Sequence, residues 1–348
     1  MEETKDLQNN MVPTLADVAR TAGVSTATVS RCLNLPDQVT EKTMRRVMAA
    51  VDHLGYSPNY SARSLAAGRT NTIGAIIPTM DNAIFARGLQ AFQEELHKNS
   101  CTLLVASSSY EEDLEEEQIK TLTARGADAL LLIGYHRQPR LYEYLEKRRI
   151  PALVAWAHDP ESPQMSVGFD NRGAMKSLAQ EVLGRGHKKL GYISAHTESN
   201  DRARDRITGV LDALSQAGLN PDDLQIIETN YSIENGGKAF RELMSVEDPP
   251  TAIMCGNDVL AVGAVRTALE MGLQVPGDVS ITGFDDIELA SMAPVPLTTV
   301  HVPHRRMGVF AARSLINTLD NKPQDQTVEL PTTICLRKTL GAPPQGKA

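Results

Sequence analysis

Apolar runs typical of β-strands alternate with amphipathic helical patterns along most of residues 71–340. The runs are TIGAIIP, TLLVASS, ALLLIG, PALVAW and SVGFD, and a second set follows with KLGYISA, QIIETN, AIMCGN and VSITGFDD. Continuous apolar strands separated by helices are typical of parallel sheets covered on both faces. Two sets in tandem predict a body of two similar, doubly wound parallel-sheet lobes, with a ligand cleft at the carboxyl ends of the strands.

Polar and aromatic side chains directly follow these strands and form a candidate ligand site. Planar polar groups and aromatic rings recognise the hydroxyl-rich edge and the apolar face of a sugar ring. The candidates are Thr79, Asp81, Asn82, Phe85, Trp156, Asp170, Arg206, Asn257, Asp258, Asp285 and Asp286, with Arg206 expected at the start of a helix. Each has a structural alternative, because an Asp after a strand often caps the next helix and a lone Trp often belongs to a core.

Residues 13–70 carry a different pattern, of short helices. Thr14 is placed to cap a first helix, Gly23 to form a tight turn, and Ser25 to cap a second helix. A third helix is predicted to begin after Thr40 and to end at Gly55. Two short helices around a glycine turn, backed by a third, predict a helix-turn-helix.

The outward face of the second helix is slim and polar. It carries Thr26, Ala27, Ser30 and Arg31. An arginine can donate to O6 and N7 of a guanine, small methyl groups can touch a thymine methyl, and hydroxyls at a helix start suit phosphate oxygens. This pattern predicts a helix that enters the DNA major groove; the alternative is a three-helix bundle with a solvated second helix.

The charge distribution is compatible with a DNA-binding head. Residues 1–70 hold eight Lys and Arg against seven Asp and Glu, whereas residues 71–348 hold 27 against 36. The segment after the third helix, residues 58–70, predicts a short hinge helix capped by Asn59, with Ala62 and Leu65 on its apolar face. Leu65 would wedge between base pairs in the minor groove; the alternative is a disordered linker.

Three segments in order carry a family resemblance: TLADVARTAGVSTATVSRCLN, GYSPN and ARSLAAGRTNTIGAIIP. They strongly resemble the lactose/galactose repressor family over residues 14 to about 340, with the pattern closest to regulators of gluconate and related sugar acids. The resemblance implies a small all-α helix-turn-helix head (13–57), a hinge (58–70) and a periplasmic-binding-protein-like α/β body (71–340). The chain would cross between the lobes three times, giving an N-lobe of about 71–168 and 302–328 and a C-lobe of about 169–299 and 329–340.

The resemblance also implies site residues. RITG, GND and GFDD match the family pattern at Arg206, Asn257 and Asp285, and Tyr231 falls where the family often places an aromatic ring. The predicted effector-binding residues are Asn82, Phe85, Trp156, Asp170, Arg206, Tyr231, Asn257 and Asp285. The predicted DNA-binding residues are Thr14, Ser25, Thr26, Ala27, Thr28, Ser30, Arg31, Asn34, Tyr56, Asn59, Ala62 and Leu65.

The arginines near Arg206 bear on the charge of the effector. Arg202, Arg204 and Arg206 lie close together, which favours an acidic sugar, although most of this cluster is expected to be solvated surface. The effector predicted from these features is a sugar, a sugar acid or a derivative of one.

Catalysis is not expected. Neighbouring Asp285 and Asp286 on one loop are unlike the facing carboxylates that a glycosidase needs, and no phosphate-binding loop or nucleophile elbow is present. The histidines are scattered and the four cysteines lie far apart without metal-ligand spacing, so neither a cofactor nor a metal is predicted.

The sequence therefore predicts a ligand-responsive transcriptional repressor that reads a pseudo-palindromic operator in double-stranded DNA. No apolar run reaches the ~20 residues of a membrane span and the N-terminus is polar and acidic, so no membrane association and a cytoplasmic location are expected. The tail GAPPQGKA lacks leucine heptads, which favours a homodimer. The alternatives are a transport-type sugar-binding protein and a DNA-binding scaffold with a vestigial cleft.

Overall fold

The computed structural model describes residues 12–57, 69–81 and 83–344. These residues form two compact units on either side of the boundary between Thr70 and Asn71. The predicted hinge contacts Asn59, Ala62 and Leu65 lie outside the described residues, as does the predicted effector contact Asn82, and the side chain of Asn34 is also outside the description.

The head consists of α1 (Leu15–Ala22), α2 (Thr26–Asn34) and α3 (Glu41–Leu54). Thr14 and Asp17 form a reciprocal capping box at α1, and Gly23 ends that helix with a φ of 62°. The Ser25 hydroxyl accepts a hydrogen bond from the Thr28 backbone N–H and caps α2. Buried apolar side chains from all three helices form the core of the head: Val18, Ala19, Ala22, Val29, Cys32, Val47, Ala50 and Val51.

The first sheet of the body, sheet 1, has six parallel strands in the order β2-β1-β3-β4-β5-β11. Its strands are β1 (Thr72–Ile77), β2 (Thr102–Ser107), β3 (Ala129–Ile133), β4 (Ala152–Ala155), β5 (Met165–Gly168) and β11 (Thr327–Glu329). The helices of this part are α4 (Ala83–Lys98), α5 (Glu112–Ala124), α6 (Pro139–Lys147) and α12 (His304–Leu319). β3 is buried along its whole length, which explains its purely apolar sequence.

The second sheet, sheet 2, has four parallel strands in the order β7-β6-β8-β9. Its strands are β6 (Leu190–Ser194), β7 (Gln225–Glu228), β8 (Ala252–Cys255) and β9 (Ser280–Thr282). The accompanying helices are α7 (Asn171–Gly184), α8 (Asp201–Gln216), α9 (Ile233–Met244), α10 (Asp258–Glu270) and α11 (Glu288–Met292). In each sheet the first strand along the chain lies between the second and the third, so the direction of winding reverses beside β1 and beside β6. The predicted fold class is confirmed.

A short antiparallel pair, β10 (Thr299–His301) with β12 (Thr333–Cys335), accompanies the two sheets. The chain passes from sheet 2 through β10 into α12 and β11 of sheet 1, and then returns to β12. The sequence pattern identified β10 through LTTVHVP but not α12, β11 or β12. Among the described helices, none is long and apolar enough to cross a membrane.

Helices α4 and α12 approach each other at two glycines. A methyl group added at Gly308 of α12 would lie 2.0 Å from the backbone oxygen of Gly88 in α4. A methyl group added at Gly88 would lie 2.5 Å from the ring of Trp156. The close packing of α4 against α12 therefore requires a glycine at position 308. The packing of Trp156, the only tryptophan in the sequence, against α4 requires a glycine at position 88.

We expect Gly308→Ala to lower the free energy of unfolding by about 1–3 kcal/mol, because the helices must separate to admit the methyl group. Urea denaturation followed by the fluorescence of Trp156 measures this change. The matched control is Gly184→Ala in α7, where the added methyl group meets no atom within 4 Å, so stability should stay the same or rise slightly. Equal effects of the two substitutions would contradict the close-contact explanation.

Candidate functional site

Helix α2 presents a polar face to solvent on the head. Thr26, Ala27 and Arg31 are exposed, whereas Val29 and Cys32 on the opposite side are buried. The 3.6-residue period of the helix thus separates a core face from a face that is free to meet a ligand.

Other predicted DNA contacts lie around this face or in the head core. The hydroxyls of Ser25 and Thr28 are hydrogen-bonded to each other at 2.9 Å at the start of α2. Ser30 is half-buried, Thr14 is exposed beside α1, and Tyr56 packs against the core of the head. The hydroxyls of Ser25 and Thr28, together with the backbone N–H groups of the first turn, lie where a phosphate could bind.

A cavity of about 300 Å³ lies in the body at the carboxyl ends of β1, β2, β6 and β7. Two of these strands, β1 and β6, lie beside the points where the direction of winding reverses, which is the usual location of ligands in open α/β sheets. The lining includes two predicted residues after β1, Thr79 and Asp81, and the predicted Tyr231 after β7. The full lining is Thr79, Asp81, Ser109, Tyr110, Ala195, His196, Ser199, Thr229, Asn230 and Tyr231.

Two tyrosines face each other across this cavity. The ring centroids of Tyr110 and Tyr231 are 6.0 Å apart, and burial raises the pKa of both phenols. Ser109 and Tyr110 have left-handed backbones, with φ of 53° and 64°, and the Ser199 hydroxyl donates to the Tyr110 carbonyl at 3.1 Å. Strained backbone next to a cavity is typical of a functional site. Tyr110 was not among the residues predicted from the sequence.

Asp285 is a fully buried carboxylate at the end of β9. Its side chain has no exposed surface, and neither carboxylate oxygen has a hydrogen-bond partner among the described residues. Burial raises the pKa of this carboxyl to about 7, against the opposing effects of Arg206 and Arg202. Its φ of 105° is unusual for a residue with a side chain. The carboxylate therefore keeps its acceptor capacity unused among the described residues, and Asp285 is not one of the residues that line the cavity.

Arg206 is the nearest cation to Asp285. Its Nη2 lies 3.8 Å from Asp285 Oδ1, and its guanidinium covers the ring of Phe284 at 3.8 Å from the ring centroid. Nε donates to Asn171 Oδ1 at 2.9 Å and Nη1 donates to the Gly256 carbonyl at 2.6 Å. These bonds hold the guanidinium so that Nη2 faces the carboxylate. The expectation that Arg206 begins its helix is wrong, because α8 begins at Asp201 and Arg206 lies in its second turn.

Further buried polar atoms without partners lie near Arg206 and Asp285. They are the hydroxyls of Tyr192 and Ser194 on β6 and the amide nitrogen of Asn257, all unpaired among the described residues. The Asn257 oxygen accepts from the Leu260 N–H and caps α10, which leaves its amide group free to donate. Tyr192 and Ser194 were not among the residues predicted from the sequence, because both lie inside an apolar strand pattern.

Trp156 joins this site to the opposite sheet through His304. The indole Nε1–H donates to His304 Nδ1 at 3.1 Å, and His304 Nε2 donates to the Asp285 carbonyl at 3.2 Å. Burial lowers the pKa of His304 to about 4, so the ring is neutral and can accept at Nδ1 while it donates at Nε2. Phe85 packs edge-on against Trp156, with centroids 5.3 Å apart. Both aromatic residues are buried, and neither lines the cavity.

Three predicted carboxylates are engaged in other interactions. Asp170 is exposed and accepts from the Gly173 N–H at the start of α7. Asp258 accepts from the Thr299 hydroxyl and the Ile287 N–H. Asp286 is paired with Arg337 and His301.

The arginine cluster is less solvated than the sequence suggested. The side chains of Arg202 and Arg206 are only 10% and 6% exposed. Arg202 is paired with Asp201 at 2.8 Å and donates to the Ile133 carbonyl, and Arg204 donates to the Thr197 and Glu198 carbonyls. Most of the positive charge of the cluster is thus already balanced or satisfied within the protein.

Comparison with known proteins identifies the architecture. Residues 14–59 match the family of bacterial regulatory proteins described as the lacI family, and residues 179–340 match a periplasmic binding protein-like domain. The HTH-type transcriptional repressor PurR of Photobacterium profundum is 32% identical over 94% of this chain and 98% of the relative. Catabolite control protein A of Priestia megaterium is 30% identical over 94% of this chain and 98% of its own length. The chain belongs to the lacI family.

A solved structure agrees with this assignment over both units. The lac repressor dimer, bound to operator and the anti-inducer ONPF, superposes with a TM-score of 0.85 and 26% identity, covering 95% of this chain and 100% of that one. As a lacI-family member, the chain is a DNA-binding transcriptional regulator with an effector-binding domain, rather than an enzyme or a transport-type binding protein.

We expect His304→Phe to destabilise this lacI-family protein by about 1–3 kcal/mol, because the indole N–H of Trp156 would be buried without an acceptor. Denaturant unfolding measures the loss, and the emission spectrum of the only tryptophan reports the broken bond. His97→Phe, at the exposed end of α4, is the matched control and should change neither. An unchanged spectrum in the His304 variant would show that the hydrogen bond does not form.

Proposed function

We propose that the protein represses transcription as a homodimer that binds a pseudo-palindromic operator through two copies of α2. A small effector, namely a sugar, a sugar acid or a derivative of one, would bind in the cleft and control operator affinity. The main support for this effector site is that the Asp285 carboxylate is buried beside Arg206 and that both of its oxygens lack hydrogen-bond partners among the described residues.

The proposal for DNA binding rests on the exposed face of α2. Arg31 provides a guanidinium that can donate to two acceptors of one guanine, and Thr26 and Ala27 provide small groups for a thymine methyl. The operator-bound dimer of the lac repressor, similar over 95% of this chain, supports two heads on one site. The insertion of Leu65 into the minor groove, in a segment outside the described residues, is part of the same proposal.

The chemistry of the cleft favours a ligand rich in hydroxyl groups. Asp285 can accept two hydrogen bonds from neighbouring hydroxyls, while Tyr192, Ser194 and Asn257 offer further unpaired polar atoms. Asp81 in the cavity lining and the buried Asp285 are both carboxyl groups that can be negatively charged. Arg202 and Arg206 of α8 already pair with or donate to groups within the protein. This balance favours a neutral polyol over an acid, so a gluconate-type specificity would need one of these carboxyls to be protonated.

The hydrogen bonds of His304 connect Asp285, in the proposed effector site, to Trp156 at the end of β4 in sheet 1. A ligand that moves the Asp285 backbone would shift His304, and His304 would shift Trp156 and the Phe85 ring on α4. A shift of these packed groups would change the position of α4. To move a population from 1:99 to 99:1, the effector must favour one state by about 5.5 kcal/mol.

We expect Arg31→Ala to reduce discrimination at one guanine of each half-site by about 1–3 kcal/mol. Selection from random duplex DNA by the full-length protein defines the preferred site, and competition between site variants then measures the discrimination. Arg20→Ala, on the exposed side of α1 and paired with Asp17, should leave the preference unchanged. An Arg31 variant with the original base preference would refute the groove assignment.

We expect Asp285→Asn to weaken effector binding by about 100-fold, because it exchanges two charge-assisted acceptors for one weaker acceptor. Calorimetry of the full-length protein against neutral sugars, sugar acids and their phosphates identifies the ligand, and the variant is then titrated with it. Asp212→Asn, which removes only an exposed pair with Arg172, is the control. Operator binding without ligand should be retained in both variants.

The same titrations test the proposal as a whole. Saturable heat that coincides with a change in the emission of Trp156 would support a cleft linked to sheet 1. If no compound produced saturable heat, the protein would be a DNA-binding scaffold with a vestigial cleft, and the effector proposal would be wrong.

A further inference from the structure

Three potential metal ligands meet outside the effector site: Asp286, His301 and Cys335. His301 Nδ1 lies 2.8 Å from Asp286 Oδ2, and Cys335 Sγ lies 3.7 Å from the same oxygen. All three donor atoms lie within 4.8 Å of one another. In the part of the chain that the structure describes, no other group of three such donors comes this close.

The backbone brings these residues together from three separate segments. His301 lies on β10 and Cys335 on β12, and the antiparallel register pairs His301 with Thr333 and Thr299 with Cys335. A bridge between Asp285 and His301 holds the loop after β9 beside β10. Asp286 has a left-handed backbone with a φ of 54°. The cluster is therefore built by β-pairing and does not arise from the chance approach of long surface side chains.

We propose that Asp286, His301 and Cys335 form a binding site for a thiophilic divalent cation of the Zn²⁺ type. A thiolate, an imidazole nitrogen and a carboxylate oxygen are all established zinc ligands, and three protein ligands leave the fourth tetrahedral position to water. Ideal zinc bonds of about 2.0–2.3 Å place neighbouring ligand atoms roughly 3.2–3.7 Å apart. The two contacts of Asp286 Oδ2, at 2.8 and 3.7 Å, are within about 0.5 Å of that range, and the third pair of donor atoms lies within 4.8 Å, so a side-chain movement of about 1 Å would complete the site.

The charges around the cluster are compatible with one divalent ion. Arg337 Nη2 donates to Asp286 Oδ1 at 2.6 Å, which fixes the carboxylate and leaves Oδ2 to the ion. His301 is 46% exposed, so an ion and its water can reach the site from solvent. On binding, the Cys335 thiol would release its proton to solvent. The proton that His301 Nδ1 donates to Asp286 Oδ2 would leave Nδ1, and the neutral ring would carry its one proton on Nε2. The new bonds would run from the ion to Sγ, Nδ1 and Oδ2.

Other pairs of histidine and carboxylate show what distinguishes this cluster. His136 lies 2.7 Å from Glu112, and His196 lies 3.8 Å from Glu228. Neither pair belongs to a three-donor group. Zinc binding at the His301 cluster but not at these pairs would therefore show that the Cys335 thiol is needed as the third ligand.

The primary test is a Zn²⁺ titration of the reduced, full-length protein in competition with a chromophoric chelator. We expect one ion per chain. His301→Gln and Cys335→Ser should each weaken binding by well over 10-fold, since even partners outside the coordination sphere change metal affinity on that scale. His136→Gln is the matched control and should bind zinc as the unaltered protein does. Loss of binding in the control, or retention in both cluster variants, would overturn the proposal.

A second measurement needs no substitution. Cys335 is half-buried, whereas Cys32, Cys101 and Cys255 are buried, so alkylation of the folded protein should modify Cys335 first, as mass spectrometry of peptides would show. Zn²⁺ should slow this reaction at Cys335, and Co²⁺ should produce a thiolate charge-transfer band in the near ultraviolet. An alkylation rate that is independent of Zn²⁺, together with no such band, would rule the site out whether or not the effector proposal holds.

Discussion

A buried carboxylate without hydrogen-bond partners is the constraint around which the polar groups beside Arg206 are arranged. Asp285 has no exposed surface and its two carboxylate oxygens accept no hydrogen bond from the described residues, so its charge is stabilised within the protein mainly by Arg206 at 3.8 Å. Such a group costs free energy in the absence of a ligand. The Asn171 and Gly256 oxygens hold the guanidinium, and Phe284 supports it from below. The carboxylate and the guanidinium are thus fixed beside each other, with the carboxylate oxygens unpaired among the described residues.

The residues next to Asp285 connect it to different parts of the body. Its carbonyl accepts from His304 at the start of α12, and through His304 it is linked to Trp156 at the end of β4. The following residue, Asp286, is paired with Arg337 and His301 of the return segments. One loop after β9 therefore contacts both the start of α12 and the segments that join the two sheets. A ligand that reorganises this loop has a direct mechanical connection to sheet 1.

Much of the fold could be predicted from local pattern. The caps at Thr14 and Ser25 and the turn at Gly23 follow from backbone chemistry within a few residues, and apolar runs identified all but the short return strands. The errors have a common cause. Arg206 was expected at a helix start because its apolar neighbours begin there, whereas the helix begins one turn earlier in the polar segment capped by Asn200. Tyr192 and Ser194 were not singled out, because the period of apolar residues does not show which buried hydroxyls lack a hydrogen-bond partner.

Sequence alone determined the class of the protein: a helix-turn-helix head, two parallel-sheet lobes, and the residue types that end their strands. These features depend on local propensities and on the period of apolar residues, which short segments encode. The tertiary structure decided which of those residues meet. It placed Asp285 against Arg206, and it brought His301 and Cys335 to Asp286. Such meetings depend on strand order and register between segments that are 15 to 80 residues apart, and no local pattern contains that information.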